Sequence, residues 1–140
     1  MALYYGLANT ILDENLYTPA TPYLMLHTAA PDAEGAGSEA QKPAAAGDMA
    51  RVAVTFGEAA ADAAAEKQVS ANTAAVTIAA AAIASGQTIT HFSIWDALTS
   101  GNCLFVAAVT SEETTGTGGV EFGIGDLKVS LSVYLKEPEA

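Results

Sequence analysis

The stretch "THFSIWDALTSGNCLF", residues 90–105, holds the only tryptophan and the only cysteine of the chain, together with one of its two histidines. Both alternating sets of side chains in its first half contain large apolar groups, which predicts a strand covered on both faces, as in the interior of a sandwich. "LTSGN" predicts a tight turn with Gly101 and Asn102 at positive φ, and "CLFVAAVT" predicts the returning strand. The stretch therefore predicts a β-hairpin. Its core contacts are assigned to Phe92, Trp95, Leu104 and Phe105.

Short alternating segments recur outside this hairpin. "YLMLHTAAP" (23–31), "MARVAVTF" (49–56), the bent apolar run "AAVTIAAAAIA" (74–84), "VEFGIG" (120–125) and "LKVSLSVYL" (127–135) each have strand character and are separated by turn signals. About six short strands after a single helix predict a mainly β fold, an antiparallel β-sandwich or jelly-roll-like domain with a short N-terminal helix.

Three segments have no clear strand pattern. Residues 31–48 lack any large apolar side chain and predict a surface loop, as does the polar run at 111–119. In residues 60–73, alanine, glutamate and lysine favour a helix by propensity, but the apolar side chains are too small to anchor one. Helix and non-helical structure both stay open there.

The N-terminal segment predicts a short amphipathic helix. Within residues 3–16, large apolar side chains follow an i, i+4, i+8 spacing, and two prolines after residue 18 end the pattern. We expect residues 1–18 to form a helix and docking arm, and residues 19–140 to form the β-sandwich of a single overall domain. The residues assigned to partner contact are Leu3, Leu7, Ile11, Tyr17, Pro19 and Pro22.

Composition excludes several classes of function. The net charge is −11, with only five basic residues spread singly along 140 positions, so nucleic acid and anionic membranes find no clustered counter-charge. One cysteine allows no intramolecular disulfide and no cysteine-based zinc site. Neither a signal peptide nor a membrane-spanning run is recognisable, so we expect synthesis in the cytoplasm and no membrane partner.

Catalytic and metal-binding patterns fail on geometry. His91 and Ser93 share one face of the predicted strand whereas Asp96 points to the other, so this acid cannot orient that imidazole. His27 and His91 lie in none of the spacings typical of metal sites, and the glycine-rich run at 116–126 lacks the order of a phosphate-binding loop. We therefore expect no enzyme activity, no cofactor and no metal, and a buried, inert thiol at Cys103.

The order of segments resembles a family of small virion proteins of tailed bacteriophages. The resemblance covers nearly the whole chain, and its most specific part is the "THFSIWDALTSGNCLF" hairpin, followed by "LHTAAP" and "ARVAVTF". Members are described as tail fibre or minor tail proteins, and similar small β-sandwich proteins serve as capsid decoration proteins. The chain departs from the family pattern before "AR", where "PAAAGDM" replaces a glycine-rich stretch.

The resemblance implies a structural role in the virion, for a protein made in the host bacterial cytoplasm. We expect a capsid decoration, or cement, protein on the capsid exterior, which bridges subunits and has the major capsid protein and copies of itself, as a trimer, for partners. The absence of coiled-coil heptads favours this interpretation. The alternative is a minor tail or tail-fibre protein that binds a host surface or carbohydrate.

Overall fold

The computed structural model describes residues 4–17, 21–43 and 47–133, and in these ranges the chain forms one α-helix and nine strands. Helix α1 spans Tyr5–Leu12 and continues as a π-helical segment, Asp13–Tyr17. The strands are β1 (Tyr23–His27), β2 (Val52–Ala53), β3 (Ala60–Asp62), β4 (Lys67–Ala71), β5 (Val76–Ile78), β6 (Thr88–Trp95), β7 (Cys103–Thr114), β8 (Val120–Phe122) and β9 (Lys128–Ser132).

The strands form three antiparallel sheets, in the orders β2-β1-β6-β7, β3-β4-β9 and β5-β8. The predicted class, mainly β with antiparallel sheets and a short N-terminal helix, is confirmed. Strand β6 is an interior strand, as its sequence predicts, because β1 pairs with it on one side and β7 on the other. The predicted hairpin is the β6–β7 pair.

One cluster of buried side chains joins the helix to all three sheets. Its largest fully buried members are Phe56, Phe92, Phe122, Leu12, Leu16, Leu24, Leu26, Met49, Ile78, Ile83, Ile89 and Ile94. Each fully buried side chain of this size contributes roughly 1.5–3 kcal/mol relative to an exposed one. Because Leu12 and Leu16 belong to this cluster, the helical segment and the sheets form one packed unit.

The turn of the β6–β7 hairpin differs from the prediction at one residue. Positive φ occurs at Ser100 (57°) and Gly101 (72°), not at Asn102. Asn102 instead closes the hairpin, since its carbonyl accepts the Asp96 N–H at 3.2 Å and its own N–H donates to Asp96 Oδ1 at 2.8 Å. The Asp96 side chain thus holds Asn102 at the end of the turn, where its φ is not positive.

Two segments predicted as loop or ambiguous are strands. Residues 60–73 contain the β3–β4 hairpin instead of a helix, because β4 alternates buried Gln68 and Ser70 with less buried neighbours and pairs with β9 over five residues. Strand β7 extends into the polar run predicted as a loop, since Glu113 and Thr114 still pair with β6. Tertiary pairing overrides local composition in both places.

The segment 49–56 shows the predicted alternation without a long ladder. Val54 and Phe56 are buried and Thr55 is exposed, yet the paired strand β2 covers only two residues. Residues 31–43 form turns and isolated bridges, as expected of a loop, but Gly35 and Ala40 are buried in them. This loop therefore packs against the domain.

Asn72, immediately after β4, connects the sheets through a buried polar hub. Its side-chain amide donates to the carbonyls of Ala74 (2.9 Å) and Gly123 (3.0 Å), and its Oδ1 accepts the Leu127 N–H at 3.0 Å. Its backbone N–H and carbonyl bond to Leu127 and Gly125. All polar groups of this residue are satisfied, which is what burial of an amide requires.

We predict that Asn72→Ala lowers the free energy of unfolding by about 3 kcal/mol, because the buried Leu127 N–H and two partly buried carbonyls lose their partner. Urea unfolding followed by circular dichroism measures this. The matched control is Asn102→Ala, which removes an exposed amide with one long bond to Asp96 (3.3 Å) and is expected to cost under about 0.5 kcal/mol. Equal losses in the two variants would contradict the hub.

Candidate partner-binding surface

The N-terminal helix turns a different face inward from the one its sequence predicts. The residues it buries are Ala8, Leu12 and Leu16, which recur every four positions. Leu7, placed by the sequence in the same stripe as Leu16, is 49% exposed instead. The small side chain at Ala8 faces the sheet side, so the larger Leu7 is left on the outer side.

Polar contacts fix the helix on the β3-β4-β9 sheet. Gln68 Nε2 donates to Asn9 Oδ1 at 2.9 Å, and the Ala59 N–H donates to Asp13 Oδ1 at 2.8 Å. Because these two anchors lie one helical turn apart and flank the buried Leu12, they hold one rotation of the helix about its axis. That rotation decides which apolar residues stay outside.

The residues assigned to partner contact fall into three groups. Leu7 is exposed and Ile11, one turn later, is half-buried, so these two side chains form a short apolar ridge on the outer side of α1. Tyr17 is exposed at the end of the π-helical segment, after Glu14. Pro22 is buried, and its carbonyl accepts the Val54 N–H, so it is not available at the surface. Leu3 and Pro19 lie outside the described residues.

The residues assigned to the hairpin core differ in depth. Phe92 is fully buried, whereas Trp95, Leu104 and Phe105 are half-buried. Phe92 and Phe105 share one face of the sheet and Trp95 shares the other with Ser93, although Trp95 and Phe105 both pack against the buried cluster. The hairpin therefore contributes to two different environments.

Trp95 is covered on its own face by two parts of the chain. The guanidinium carbon of Arg51 lies 3.7 Å from its ring centroid, which is a cation–π contact, and Arg51 also donates to the carbonyls of Ala97 and Ser100 in the hairpin turn. Gly35 comes so close to Trp95 that a Cβ there would lie 3.0 Å from the ring. The loop after β1 thus closes over the indole.

A shallow cavity of about 470 Å³ opens beside this tryptophan. Its lining consists of Ala33, Glu34, Ala36, Trp95, Gly101, Asn102 and Cys103. A carbohydrate platform needs an aromatic face open to solvent, and here Arg51 lies over the ring. Trp95 is therefore positioned as packing for the loop.

A buried chain of hydrogen bonds lies under the same loop. Trp95 Nε1–H donates to Ser93 Oγ, Ser93 Oγ bonds to His27 Nε2, and His27 Nδ1 bonds to the Gly37 carbonyl, each at 2.8 Å. A carbonyl only accepts, so Nδ1 carries the proton and the Ser93 hydroxyl donates to Nε2. Burial holds the pKa of His27 below its ordinary value of 6.5.

Sequence reasoning missed this pair because it considered Ser93 with His91 on the same strand. The β1–β6 register sets His27 opposite His91 and Met25 opposite Ser93, so His27 and Ser93 are diagonal neighbours on one face. The signal available in the sequence was a histidine ending an apolar strand, but its partner lies 66 positions away.

The serine–histidine contact resembles a nucleophile with its base, yet its setting is that of a structural network. Both side chains have no exposed surface. The imidazole Nδ1 is held by the Gly37 carbonyl where a hydrolase would place a carboxylate, and the serine oxygen already accepts the indole N–H. The arrangement attaches the loop to the sheet.

Other candidate groups are local in their contacts. His91 Nδ1 lies 2.8 Å from Thr90 Oγ1. Asn102 holds the pKa of Asp96 below its ordinary value, first through its backbone N–H and then through its side chain. Burial raises the pKa of the half-buried Cys103 thiol, which keeps the thiol protonated at neutral pH.

Within residues 4–17, 21–43 and 47–133, no three His, Cys, Asp or Glu side chains come together as a metal site would require. In the same ranges no helix combines the length and the apolar character needed to cross a membrane.

Comparison with known proteins gives one family. A family model described as "Podophage GP4 fiber I protein gp80" matches residues 3–130, which is most of the 140 residues. The matched range includes the helix and the β6–β7 hairpin. It covers all nine described strands apart from the last two residues of β9. No curated protein matches the chain.

We predict that Ser93→Ala lowers the free energy of unfolding by about 2 kcal/mol, because the Trp95 indole N–H and His27 Nε2 both lose a buried partner. Denaturant unfolding measures this. Ser130→Ala, the same change at an exposed position of β9, is the control and is expected to have little effect. A Ser93→Ala chain as stable as this control would show that the network contributes nothing.

The depressed pKa of His27 also predicts how stability depends on pH. Below pH 6.5 the unfolded chain protonates this histidine while the folded chain resists, so the free energy of unfolding decreases as the pH falls through 6.5. The slope between pH 7.5 and 5 is expected to be smaller in His27→Gln than in His91→Gln, as measured by denaturant unfolding at each pH. Identical slopes in both variants would contradict a neutral buried His27.

Proposed function

The chain belongs to the podophage GP4 fiber I protein gp80 family and is a structural virion protein, and from this membership we propose that it is a tail-fibre component attached to the virion through its N-terminal helix. The observation that carries the proposal is the family match over residues 3–130. The proposed role is non-enzymatic, and it uses residues 1–18 for docking.

The proposed docking surface is the apolar ridge of the helical segment. Leu7 is 49% and Tyr17 44% exposed, and Ile11 is half-buried between them, although Leu12 and Leu16 already bury the opposite side. Large apolar side chains that stay exposed beside one another are typical of a surface that a partner covers. Leu7 and Ile11 precede the first charged residue, Asp13, whereas the exposed Glu14 lies between Ile11 and Tyr17. A partner therefore meets the Leu7 end of the helix without desolvating a charge.

The capsid decoration role expected from the sequence is less well supported than the fibre role. The family description names a fibre, which agrees with the alternative interpretation of the resemblance. A fibre component contacts the tail or other fibre proteins, whereas a decoration protein contacts the major capsid protein and bridges its copies. The two roles therefore differ in location and in the number of copies per particle.

Copy number separates these roles. Quantitative mass spectrometry of purified virions, with the major capsid protein as internal standard, is expected to give the few copies that a small set of tail fibres requires. Immunogold labelling is expected to decorate the tail. A copy number in proportion to the major capsid protein, with label on the head, would overturn the fibre proposal.

We propose that contact with the host surface uses parts of the protein other than the face around Trp95. The Arg51 guanidinium, 3.7 Å from the ring centroid, covers one face of the indole, and Gly35 lies close to the ring edge. A glycan platform built on this tryptophan would first have to displace the loop after β1.

We predict that Leu7→Lys reduces incorporation into virions at least about tenfold, because it places a charge in the apolar contact. Incorporation is measured by blotting purified particles made by a phage that carries the variant gene. Since Leu7 is exposed, the thermal unfolding temperature is expected to stay within a few degrees of the unmodified chain. Deletion of residues 1–18 is a poorer test, because it also removes Leu12 and Leu16 from the core.

Ile124→Lys is the matched control, since Ile124 is 71% exposed and lies in the turn between β8 and β9, away from the helix in sequence. Normal incorporation of both variants would contradict docking through the helix while leaving the fibre assignment to the copy-number experiment.

A further inference from the structure

Strand β7 is the longest strand described and lies at the edge of its sheet. Among the described residues it pairs only with β6, so no strand lies along its other edge. One backbone bond reaches that edge in the second half of the strand, between the Thr110 N–H and the Asp126 carbonyl at 3.4 Å. The first half, residues 103–108, presents a bare edge within the described part of the chain.

The two halves of β7 differ in how well they exclude another strand. In the second half the register with β6 shifts beyond residue 108, and Glu112 and Glu113 carry charge, which are two devices by which natural edge strands avoid pairing. From residue 103 to residue 108 the sequence contains neither charge nor proline, and residues 105–108 keep a regular register with β6. This half is open to another strand.

A groove follows the same half of β7 on the side of the loop after β1. Val106 pairs with Ser93, so its side chain lies on the face that this loop covers, yet Val106 is 38% exposed. A cavity of about 220 Å³ separates residues 31–33 of the loop from residues 103–106 of the strand. The loop therefore covers the middle of the sheet and leaves space beside its edge.

The loop side of this groove is acidic. Asp32 lines the 220 Å³ cavity and Glu34 lines the neighbouring cavity beside Trp95, and both side chains are exposed. The N–H groups of Glu34 and Ala36 donate to Asp32 Oδ1, each at 2.9 Å, which holds this carboxylate in place. Among the described residues neither cavity lining contains Lys or Arg, and Arg51 is bonded to carbonyls of the hairpin turn.

We propose that residues 103–108 bind an extended segment of a different virion protein, which adds a strand to β7. Charge complementarity selects this occupant. The segment carries Lys or Arg at the end that meets Asp32 and Glu34, near the start of β7, and uncharged residues along the rest of the edge. A segment with acidic residues would be repelled by these two carboxylates in a chain of net charge −11.

The edge also gives the segment apolar contacts on both faces of the sheet. Val106 and Ala108 are exposed on one face, and Phe105 and Ala107 are half-buried on the other. A strand along six residues spans about 20 Å, so the partner segment needs about six residues in extended conformation. Main-chain bonds to the bare edge supply affinity, and the alternating side chains supply specificity.

Photo-cross-linking in assembled virions tests the proposal. Val106 is replaced by the photo-reactive residue p-benzoylphenylalanine, whose side chain leaves the sheet face and not the bonding edge. Purified particles that contain the variant chain are irradiated, and mass spectrometry identifies the captured peptide. The same replacement at Ile124, which is 71% exposed in the turn between β8 and β9, is the matched control, and replacement of Ala108 gives a second position on the edge.

The expected product joins position 106, and also position 108, to one segment of a different virion protein. That segment is expected to contain Lys or Arg and no Asp or Glu across about six residues, and position 124 is expected not to capture it. Capture of a segment with acidic residues, capture of another copy of this chain, or no capture from either edge position would overturn the proposal. Circular dichroism of each variant identifies a folding defect separately.

A synthetic peptide of the captured segment then tests the charge argument by isothermal titration calorimetry with the full chain. Asp32→Asn with Glu34→Gln removes both charges and keeps an oxygen acceptor for the loop N–H groups. The Kd is expected to rise at least about threefold, because two exposed ion pairs are lost.

Glu112→Gln with Glu113→Gln is the control, since it changes the net charge equally in the second half of β7, and the Kd is expected to stay within about twofold of the unmodified value. Equal Kd values in the two double variants would overturn the acidic groove.

The proposal rests on the proposed function only in taking the partner to be a virion protein. Copy number and immunogold labelling decide between tail and head, whereas capture from positions 106 and 108 decides whether the edge is occupied. Either result can fail without the other.

Discussion

The structure depends on the need to cover β6 on both faces. This strand lies between two neighbours, and one of its faces packs Phe92 and Ile94 into the core that all three sheets share. The other face carries Ser93 and Trp95, which cannot be left bare in the middle of a sheet without losing buried partners. The loop after β1 supplies the cover, and His27 attaches it through Ser93 and the Gly37 carbonyl.

That solution shapes the rest of the surface. The second face of β6 is occupied by the polar network, the Arg51 contact and the packed loop. The region around Trp95 therefore stabilises the fold, and partner contacts are proposed elsewhere on the surface. One such place is the outer side of the N-terminal helix, where Leu7 is 49% exposed in a strongly acidic protein. The fibre proposal uses this surface.

The sequence predicts the parts of the structure that local patterns specify. Alternation identifies β6 as interior and identifies β1 and β9, and the i, i+4 spacing predicts the helix. Local patterns do not predict contacts between distant segments. Nothing in the sequence around either residue relates His27 to Ser93. Whether Leu12 or Leu7 is buried depends on the bonds that Asn9 and Asp13 make to Gln68 and Ala59. Of the described residues that the sequence assigns to partner contact, Leu7 and Tyr17 are exposed and Pro22 is buried, and contact with a partner stays a prediction.

Hydrogen exchange of the backbone amides of Thr28 and Ala40 tests most directly whether the loop after β1 is a fixed cover. Their N–H groups donate to the carbonyls of Ser38 (2.8 Å) and Leu26 (2.9 Å), so both bonds exist only while the loop is closed over β6. The account predicts protection similar to that of amides within β1 and β6, as measured by nuclear magnetic resonance. Exchange as fast as in the exposed turn at residues 63–66 would show that the loop opens freely, and it would return Trp95 to consideration as a binding surface.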